Sequence, residues 1–389
     1  MTTQSVESKS ISAAQAMLRE GDSSGALQCL SEARRSSPNH LGIVMNLAMV
    51  HRAKGDLNKA LQTLEEALAI DPYSFLSLLS KGSILEQMNR PRLAADIYRN
   101  ALKIAPPNKQ TPESIKAPLE HARRVVEQQS REMAACLREA ISHLLDSHDL
   151  SVRQRAVESI DLVAGITRVF HSEPIQFHYP RLPAIPFFDR DYFPWFGDLE
   201  ASTELISIEL MDLIESGLPG FSPYVAYAPG TPENQFADLN HSDDWRSFWF
   251  WRDGEPQPDA IEKCPKTAAL LNELPMCDQE GFAPTALFSA LAPHTRIPPH
   301  TGSTNTRLLV HLPLVLPGPA GFRVGNETRS WKLGEAWAFD DTIEHEAWND
   351  SSQTRVIMIF DVWNPLLSHG ERDIVRSLLK EQRKWLYEN

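Results

Sequence analysis

The sequence predicts an α + β multidomain chain, with an α-helical repeat stack in front and a β-rich sandwich or jelly roll behind. Three observations carry that expectation. Small residues recur at a fixed period of 34 through the first hundred positions. All nine tryptophans lie at Trp195 or later, and most prolines lie in the same half. After residue 284, short apolar runs alternate with Pro and Gly turns, the pattern of a sandwich or jelly roll.

Composition limits the remaining classes. The chain has 389 residues, 42% of them hydrophobic and 23% charged, which suits two or three domains and excludes wholesale disorder. Its net charge of −13 repels a phosphate backbone, so nucleic acid is a poor partner. The cysteines Cys29, Cys136, Cys264 and Cys277 are scattered without a C-x-x-C, which argues against a thiolate zinc site and against a disulfide framework. The first residues, Met1 to Ser5, lack the layout of a secretory signal. No apolar run reaches the length of a membrane span. The expectation is a soluble cytoplasmic protein.

The first three units begin at Glu7, Leu41 and Phe75. Their eighth positions are Ala14, Ala48 and Gly82. Their twentieth are Ala26, Ala60 and Ala94, and their twenty-seventh are Ala33, Ala67 and Ala101. Small residues here let paired helices cross closely, and Pro38, Pro72 and Pro106 end each unit. The pattern resembles the tetratricopeptide repeat, with three repeats over 7–108. The resemblance implies a short right-handed stack whose concave face takes a protein or peptide partner; a plain scaffold or self-association is the other reading. Residues 109–170 form a helical cap and connector. Apolar periodicity predicts helices over Glu113–Gln129 and Arg131–Leu145, with a break at Asp146–Asp149.

The second part, 171–389, starts with prolines at 174, 180, 183, 186 and 194, which predict an extended lead-in. Helical spacing covers Leu199–Ser216. Residues 217–262 read as loop, with an aromatic cluster at Trp245, Phe248, Trp249, Phe250 and Trp251 taken as core or as a pocket wall. Strands are expected at Thr285–Leu291, Arg307–Leu316, Gly321–Val324, Glu335–Asp340 and Arg355–Trp363. A last helix, Ser368–Tyr387, should pack on the sheet.

The chemistry-bearing residues fall between 285 and 365. His300 follows Pro298-Pro299, just before a strand, and His345 sits at a strand exit. Ten residues on, Arg355 opens the apolar run Val356 to Phe360 with no acidic neighbour in sequence. A buried arginine needs an anion, and a ligand carboxylate supplies one. Two histidines on a jelly roll with an arginine ten residues later is the layout of an iron and 2-oxoglutarate site, since imidazole binds Fe(II) and leaves positions open. For each histidine taken alone, a structural role is the other reading.

Four blocks carry a fuller resemblance: Pro299 to Arg307, Val324 to Thr328, Phe339 to Trp348 and Phe360 to Pro365. They resemble the aspartyl/asparaginyl β-hydroxylase family, with weaker likeness from Tyr179-Pro180 and Phe193-Pro194-Trp195. The resemblance implies a double-stranded β-helix (jelly roll, cupin-like), His300 and His345 as Fe(II) ligands, and Arg355 with Ser289 clamping the far carboxylate of 2-oxoglutarate. It implies that His311 meets the cosubstrate near its metal-bound end. Gly302 stands where most 2-oxoglutarate oxygenases have an acidic ligand, and water fills that position in this family. Backbone bonding for Ser289 and core packing for His311 remain open alternatives. Asp340 and Asp341 read as a strand-ending turn or as support for His345. Animal members read Arg-Leu-Arg-x-His where this chain has Arg307, Leu309 and His311, so one cation tied to substrate carboxylate is missing; Arg307 remains to meet an anion. Animal members carry a membrane anchor and act in a secretory compartment, while some bacterial relatives hydroxylate lipid or small-molecule acyl groups.

The resulting expectation is an Fe(II)- and 2-oxoglutarate-dependent dioxygenase. It would hydroxylate a C–H bond of a protein side chain (Asp/Asn-like) or of a small-molecule or acyl substrate, with O2 as co-reactant and repeats that recruit a partner. The competitors are an inactive repeat adaptor and a zinc cupin enzyme.

Overall fold

A computed structural model describes residues 6–106 and 111–387. The N-terminal pentapeptide and the expected 108/109 boundary lie outside the described residues. The chain divides into two compact units, Met1–Arg168 and Val169–Asn389.

In the first unit, three helical hairpins follow one another: α1 (Val6–Arg19) with α2 (Ser23–Ser36), α3 (Leu41–Ala53) with α4 (Leu57–Ile70), and α5 (Phe75–Gln87) with α6 (Pro91–Ile104). The periodic small residues sit at the crossings, where Ala14, Ala26, Ala48, Ala60, Ala67, Ala94 and Ala101 are all buried. Gly82 shows why the column must be small: a Cβ there would come within 2.3 Å of the Tyr98 ring on α6. Asp22 and Ser74 cap their helices by accepting the N–H groups of Gly25 and Ser77. The two helices expected after residue 112 are one continuous helix, α7 (Glu113–Leu145), followed by α8 (Leu150–Ala164). The apolar stripe runs unbroken past residue 130, where Ser130 is itself buried, so nothing stops the helix there.

The second unit begins with an extended lead-in that makes isolated bridges from Ser172 to Ile343, Phe177 to Thr304 and Phe187 to Phe339. Then come α9 (Phe196–Ala201), α10 (Thr203–Glu215), β1 (Ser222–Pro223), β2 (Trp245–Arg252), β3 (Glu255–Pro256), α11 (Pro258–Lys263) and α12 (Pro265–Glu273). The strands β4 (Ala286–Leu291), β5 (Thr295–His300), β6 (Arg307–Val315), β7 (Ala320–Val324), β8 (Glu327–Ser330), β9 (Trp337–Phe339), β10 (His345–Asn349) and β11 (Arg355–Trp363) follow, and α13 (His369–Tyr387) closes the unit.

Two antiparallel sheets result. The larger runs β1-β2-β4-β11-β6-β9 with β3 on β2, and the smaller runs β5-β10-β7-β8. From β4 to β11 the chain passes back and forth between them, which makes a double-stranded β-helix. β11 shows how alternation builds two cores. Val356, Met358, Phe360 and Val362 face the helices, packing with Phe196, Leu210 and Leu271. Ile357 and Ile359 face the smaller sheet, packing with Phe322, Val324 and Ala347. At the β7–β8 hairpin Gly325 takes φ +57°, as its turn demands.

Three expectations need correction. The aromatic run Trp245–Arg252 is a strand, not a loop: Phe248 and Phe250 face the helices while Trp245 packs between the sheets. His300 ends β5 instead of preceding a strand. The two prolines hid β5, which tolerates them because it lies at a sheet edge, where a missing N–H breaks little. His345 opens β10 instead of leaving a strand. Helix α13 does pack on the sheet domain, with Val375 buried against Trp363 and Cys277.

Candidate active site

His300 and His345 lie 45 positions apart in sequence and directly opposite each other across the β5–β10 pair. Register explains their convergence, because facing residues on adjacent strands are close neighbours. Their ring centroids are 4.0 Å apart. The Nδ1 of His300 lies 2.7 Å from the carbonyl of Pro298, and that of His345 lies 3.0 Å from the carbonyl of Ile343. A carbonyl only accepts, so each Nδ1–H donates and each Nε2 keeps its lone pair. Burial lowers the basicity of both rings, and the His300 ring lowers that of His345 further. Both imidazoles are therefore neutral and fixed in the tautomer that a metal ligand needs. Phe236 covers His300 at 5.1 Å and Phe339 covers His345 at 5.4 Å. Among the described residues, no cluster of three or more His, Cys, Asp or Glu forms a larger ligand set.

Arg355 lies at one end of the inner face of the large sheet. It is 1% exposed, and its Nε and Nη1 have no hydrogen-bond partner. Burial alone pushes its pKa down to about 9, with no carboxylate to offset it. Its guanidinium stacks on Trp331 at 4.7 Å. Around it stand more unmatched polar atoms: Nε1 of Trp331, Nε1 of Trp337 and Nδ1 of His311. His311 packs on Phe339 at 4.7 Å and on Trp331 at 5.7 Å. Burial, then the Arg355 charge, holds its pKa well below the ordinary value, so it is neutral. So many buried groups without partners are unusual in a folded protein, and the donors among them suit an anion. Ser289 faces the same space from β4. Its Oγ accepts a hydrogen bond from Trp245 Nε1 at 3.1 Å, which leaves its own O–H to donate.

The other end of the inner face is different. Arg307, on β6, is paired with Asp361 on β11 at 2.5 Å, so the cation that sequence reasoning left open to a ligand anion has a partner of its own. Its Nε still has none. Asp340 accepts from the backbone N–H and hydroxyl of Thr342, the turn role expected of it. Asp341 does something that sequence reasoning did not foresee. Its carboxylate fills the space beside Gly302, where a Cβ would stand 1.9 Å from Oδ2. Burial raises Asp341 to about 7, with Arg307 pulling the other way. Gly302 thus leaves room for a carboxyl that comes from the turn between β9 and β10.

The sequence missed Trp331, offered Trp245 as core or pocket wall, and read Asp341 as a turn residue or as support for His345. In sequence Trp331 stands in a polar stretch, Glu327 to Lys332, and only the fold carries its ring into the core between the sheets. What distinguishes Trp331 is its unmatched indole N–H, which only a structure reveals.

The profile of the aspartyl/asparaginyl β-hydroxylase family matches residues 202–365, and tetratricopeptide-repeat profiles match 11–75 and 77–108. The aspartyl/asparaginyl β-hydroxylase of Mus musculus is 40% identical over 145 residues, covering 36% of this chain and 19% of that protein. The ornithine lipid ester-linked acyl 2-hydroxylase of Rhizobium tropici is 31% identical over 222 residues, covering 54% of this chain and 74% of that protein. Aspartate β-hydroxylase domain-containing protein 2 of Homo sapiens is 31% identical over 205 residues, covering 51% of this chain and 53% of that protein. The matched stretch is thus about a fifth of the mouse hydroxylase and about half of the human protein.

Proposed function

The chain belongs to the aspartyl/asparaginyl β-hydroxylase family, and from that premise we propose that it is an Fe(II)- and 2-oxoglutarate-dependent dioxygenase hydroxylating a C–H bond. The observation that carries the proposal is the pairing of two neutral, tautomer-fixed imidazoles with a fully buried guanidinium that has no anion of its own. The donor set fits both groups. Two imidazoles suit a ferrous ion and leave positions open for a chelating keto acid and dioxygen. Arg355, the Ser289 hydroxyl and the Trp331 indole N–H suit a carboxylate.

When bound, iron supplies the activation of dioxygen, with 2-oxoglutarate oxidised to succinate and CO2 and one oxygen atom delivered to the substrate. The protein's own residues do the rest. His300 and His345 would hold the metal through Nε2, oriented by the carbonyls of Pro298 and Ile343. Arg355 would bind the far carboxylate and gain the counterion that it lacks. Neutral His311 adds bulk and a polar edge beside the cosubstrate without a second charge. Asp341 stands beside Gly302, two residues past His300, where its carboxyl can hydrogen-bond a water. The aromatic walls Phe236 and Phe339 exclude bulk water from the histidines. The substrate is a protein side chain or an acyl or small-molecule group, and the helical repeats serve a protein partner. Among the described residues no helix is long and apolar enough to cross a membrane.

The test is anaerobic addition of Fe(II) and 2-oxoglutarate to the full chain. A weak visible charge-transfer band is expected, absent from His345→Ala. No band in the unaltered protein would count against the proposal.

A further inference from the structure

One stretch of the extended lead-in touches both loops that present the histidine pair. The loop 301–306 leaves β5 directly after His300, and the loop 340–344 enters β10 directly before His345. The front of the stretch pairs with the second loop. Ser172 forms an antiparallel bridge with Ile343, and the Glu173 N–H donates to the Thr342 carbonyl at 2.8 Å. The rear pairs with the first loop. The Ile175 N–H donates to the Gly302 carbonyl at 2.9 Å, and the Gln176 and Phe177 N–H groups share the Ser303 carbonyl at 3.0 and 3.1 Å. Pro174, which has no N–H to satisfy, falls between the two sets of bonds. Residues 172–177 are therefore a strap across both loops.

The strap reaches the site through one carbonyl. Ile343 supplies the oxygen that fixes the His345 tautomer, so its bridge to Ser172 helps to set where that oxygen stands. Side chains add a second tie. Ser172 Oγ lies 2.6 Å from Thr342 Oγ1, and Thr342 donates its one hydroxyl proton to Asp340 Oδ1 at 2.5 Å. Thr342 must then accept from Ser172, and the chain Ser172–Thr342–Asp340 runs in one direction. The strap lies upstream of the stretch 202–365 that the hydroxylase family profile matches. It follows closely on the helical unit, which ends at Arg168.

We propose that residues 172–177 position the metal pair, with the Ser172 hydroxyl holding the 340–344 loop and, through the Ile343 carbonyl, the aim of His345. This rests on the metal-site reading and adds to it a residue that acts through another. Among the described residues no third His, Cys, Asp or Glu joins the two histidines as a cluster. An ion held by two imidazoles depends strongly on how firmly those rings are oriented, and the groups that orient them are therefore felt in its affinity.

The experiment titrates Co(II), which stands in for Fe(II) and is stable in air, into the full chain and follows its visible d–d absorption. Ser172→Ala should weaken Co(II) binding about three- to tenfold, as the loss of one hydrogen bond implies, and should shift the band. Ser172→Thr keeps the hydroxyl and should restore both affinity and band. Ser172 is half-buried, and alanine leaves its backbone bridge in place, so the variant is expected to fold. Urea denaturation without metal runs alongside. A lower urea midpoint for Ser172→Ala with Co(II) affinity and band unchanged would make Ser172 a structural residue only and overturn the proposal. A threonine variant as weak as the alanine one would overturn it too. Absence of Co(II) binding in the unaltered chain would instead strike the metal-site reading itself, and the strap's role with it.

Discussion

Replacing Arg355 with methionine should make the ligand-free protein more stable and deaf to 2-oxoglutarate. The guanidinium is 1% exposed and unpaired, and burial takes its pKa from 12.5 to about 9. At 1.36 kcal/mol per unit, keeping it charged costs on the order of 5 kcal/mol. An arginine stays charged, so that cost is borne as lost stability. Stacking on Trp331 returns up to about 2 kcal/mol. Methionine fills much of the same volume without charge, so a net gain of about 3 kcal/mol is expected in the absence of ligand. In the unaltered chain, Mn(II) with 2-oxoglutarate at a hundred times its Kd should add about 2.7 kcal/mol, and in the variant 2-oxoglutarate should add nothing. The assay is urea denaturation followed by tryptophan fluorescence. All nine tryptophans lie at Trp195 or later, so the signal reports the sheet unit. A loss of about 3–5 kcal/mol in the ligand-free variant would refute the reasoning, because that is the signature of breaking a buried ion pair. Equal protection of both proteins by 2-oxoglutarate would refute the clamp.

Trp331→Phe keeps the ring under Arg355 and removes the indole N–H. The Kd for 2-oxoglutarate should rise about five- to tenfold by calorimetry, as one hydrogen bond of about 1–1.4 kcal/mol requires. Gly302→Asp restores the carboxylate common in other oxygenases, but its Cβ meets Asp341, so urea denaturation should show about 1–3 kcal/mol of lost stability and metal titration no gain in affinity. His311 is buried and neutral with its pKa well below 6.5, so the unfolded chain takes up a proton that the folded chain refuses. Stability from this group is therefore full above pH 6.5 and falls as pH drops. Between pH 7.5 and 5.5 the unaltered chain should lose about 1.4 kcal/mol more than His311→Gln, and an equal loss in both would count against a buried neutral ring. The comparison cancels the buried carboxyls, which act in the opposite direction.

What could be read from the sequence was what is local. The 34-residue columns mark helix crossings because each small residue serves the helix beside it, as Gly82 does for Tyr98. Strands β4, β6, β7, β9 and β11 were visible as apolar runs between turns. Strand β5 was not, since Pro298-Pro299 argue against any strand that is not an edge. Strand β2 was hidden in a turn-rich stretch, and β10 by its brevity and by the charged, half-buried Glu346 on its outer face. The candidate site follows the same rule. His300, His345 and Arg355 stood out by residue type and spacing. Asp341 over Gly302, Arg307 on Asp361 and the unmatched N–H of Trp331 depend on which strands become neighbours, and no run of sequence states that.

The most direct measurement is succinate formed from 2-oxoglutarate in air with Fe(II), followed by proton NMR on the full chain and on His345→Ala. Succinate from the unaltered chain and none above background from the variant is the expected result. Equal rates in the two proteins, or no succinate from either, would contradict a ferrous site built on this histidine pair.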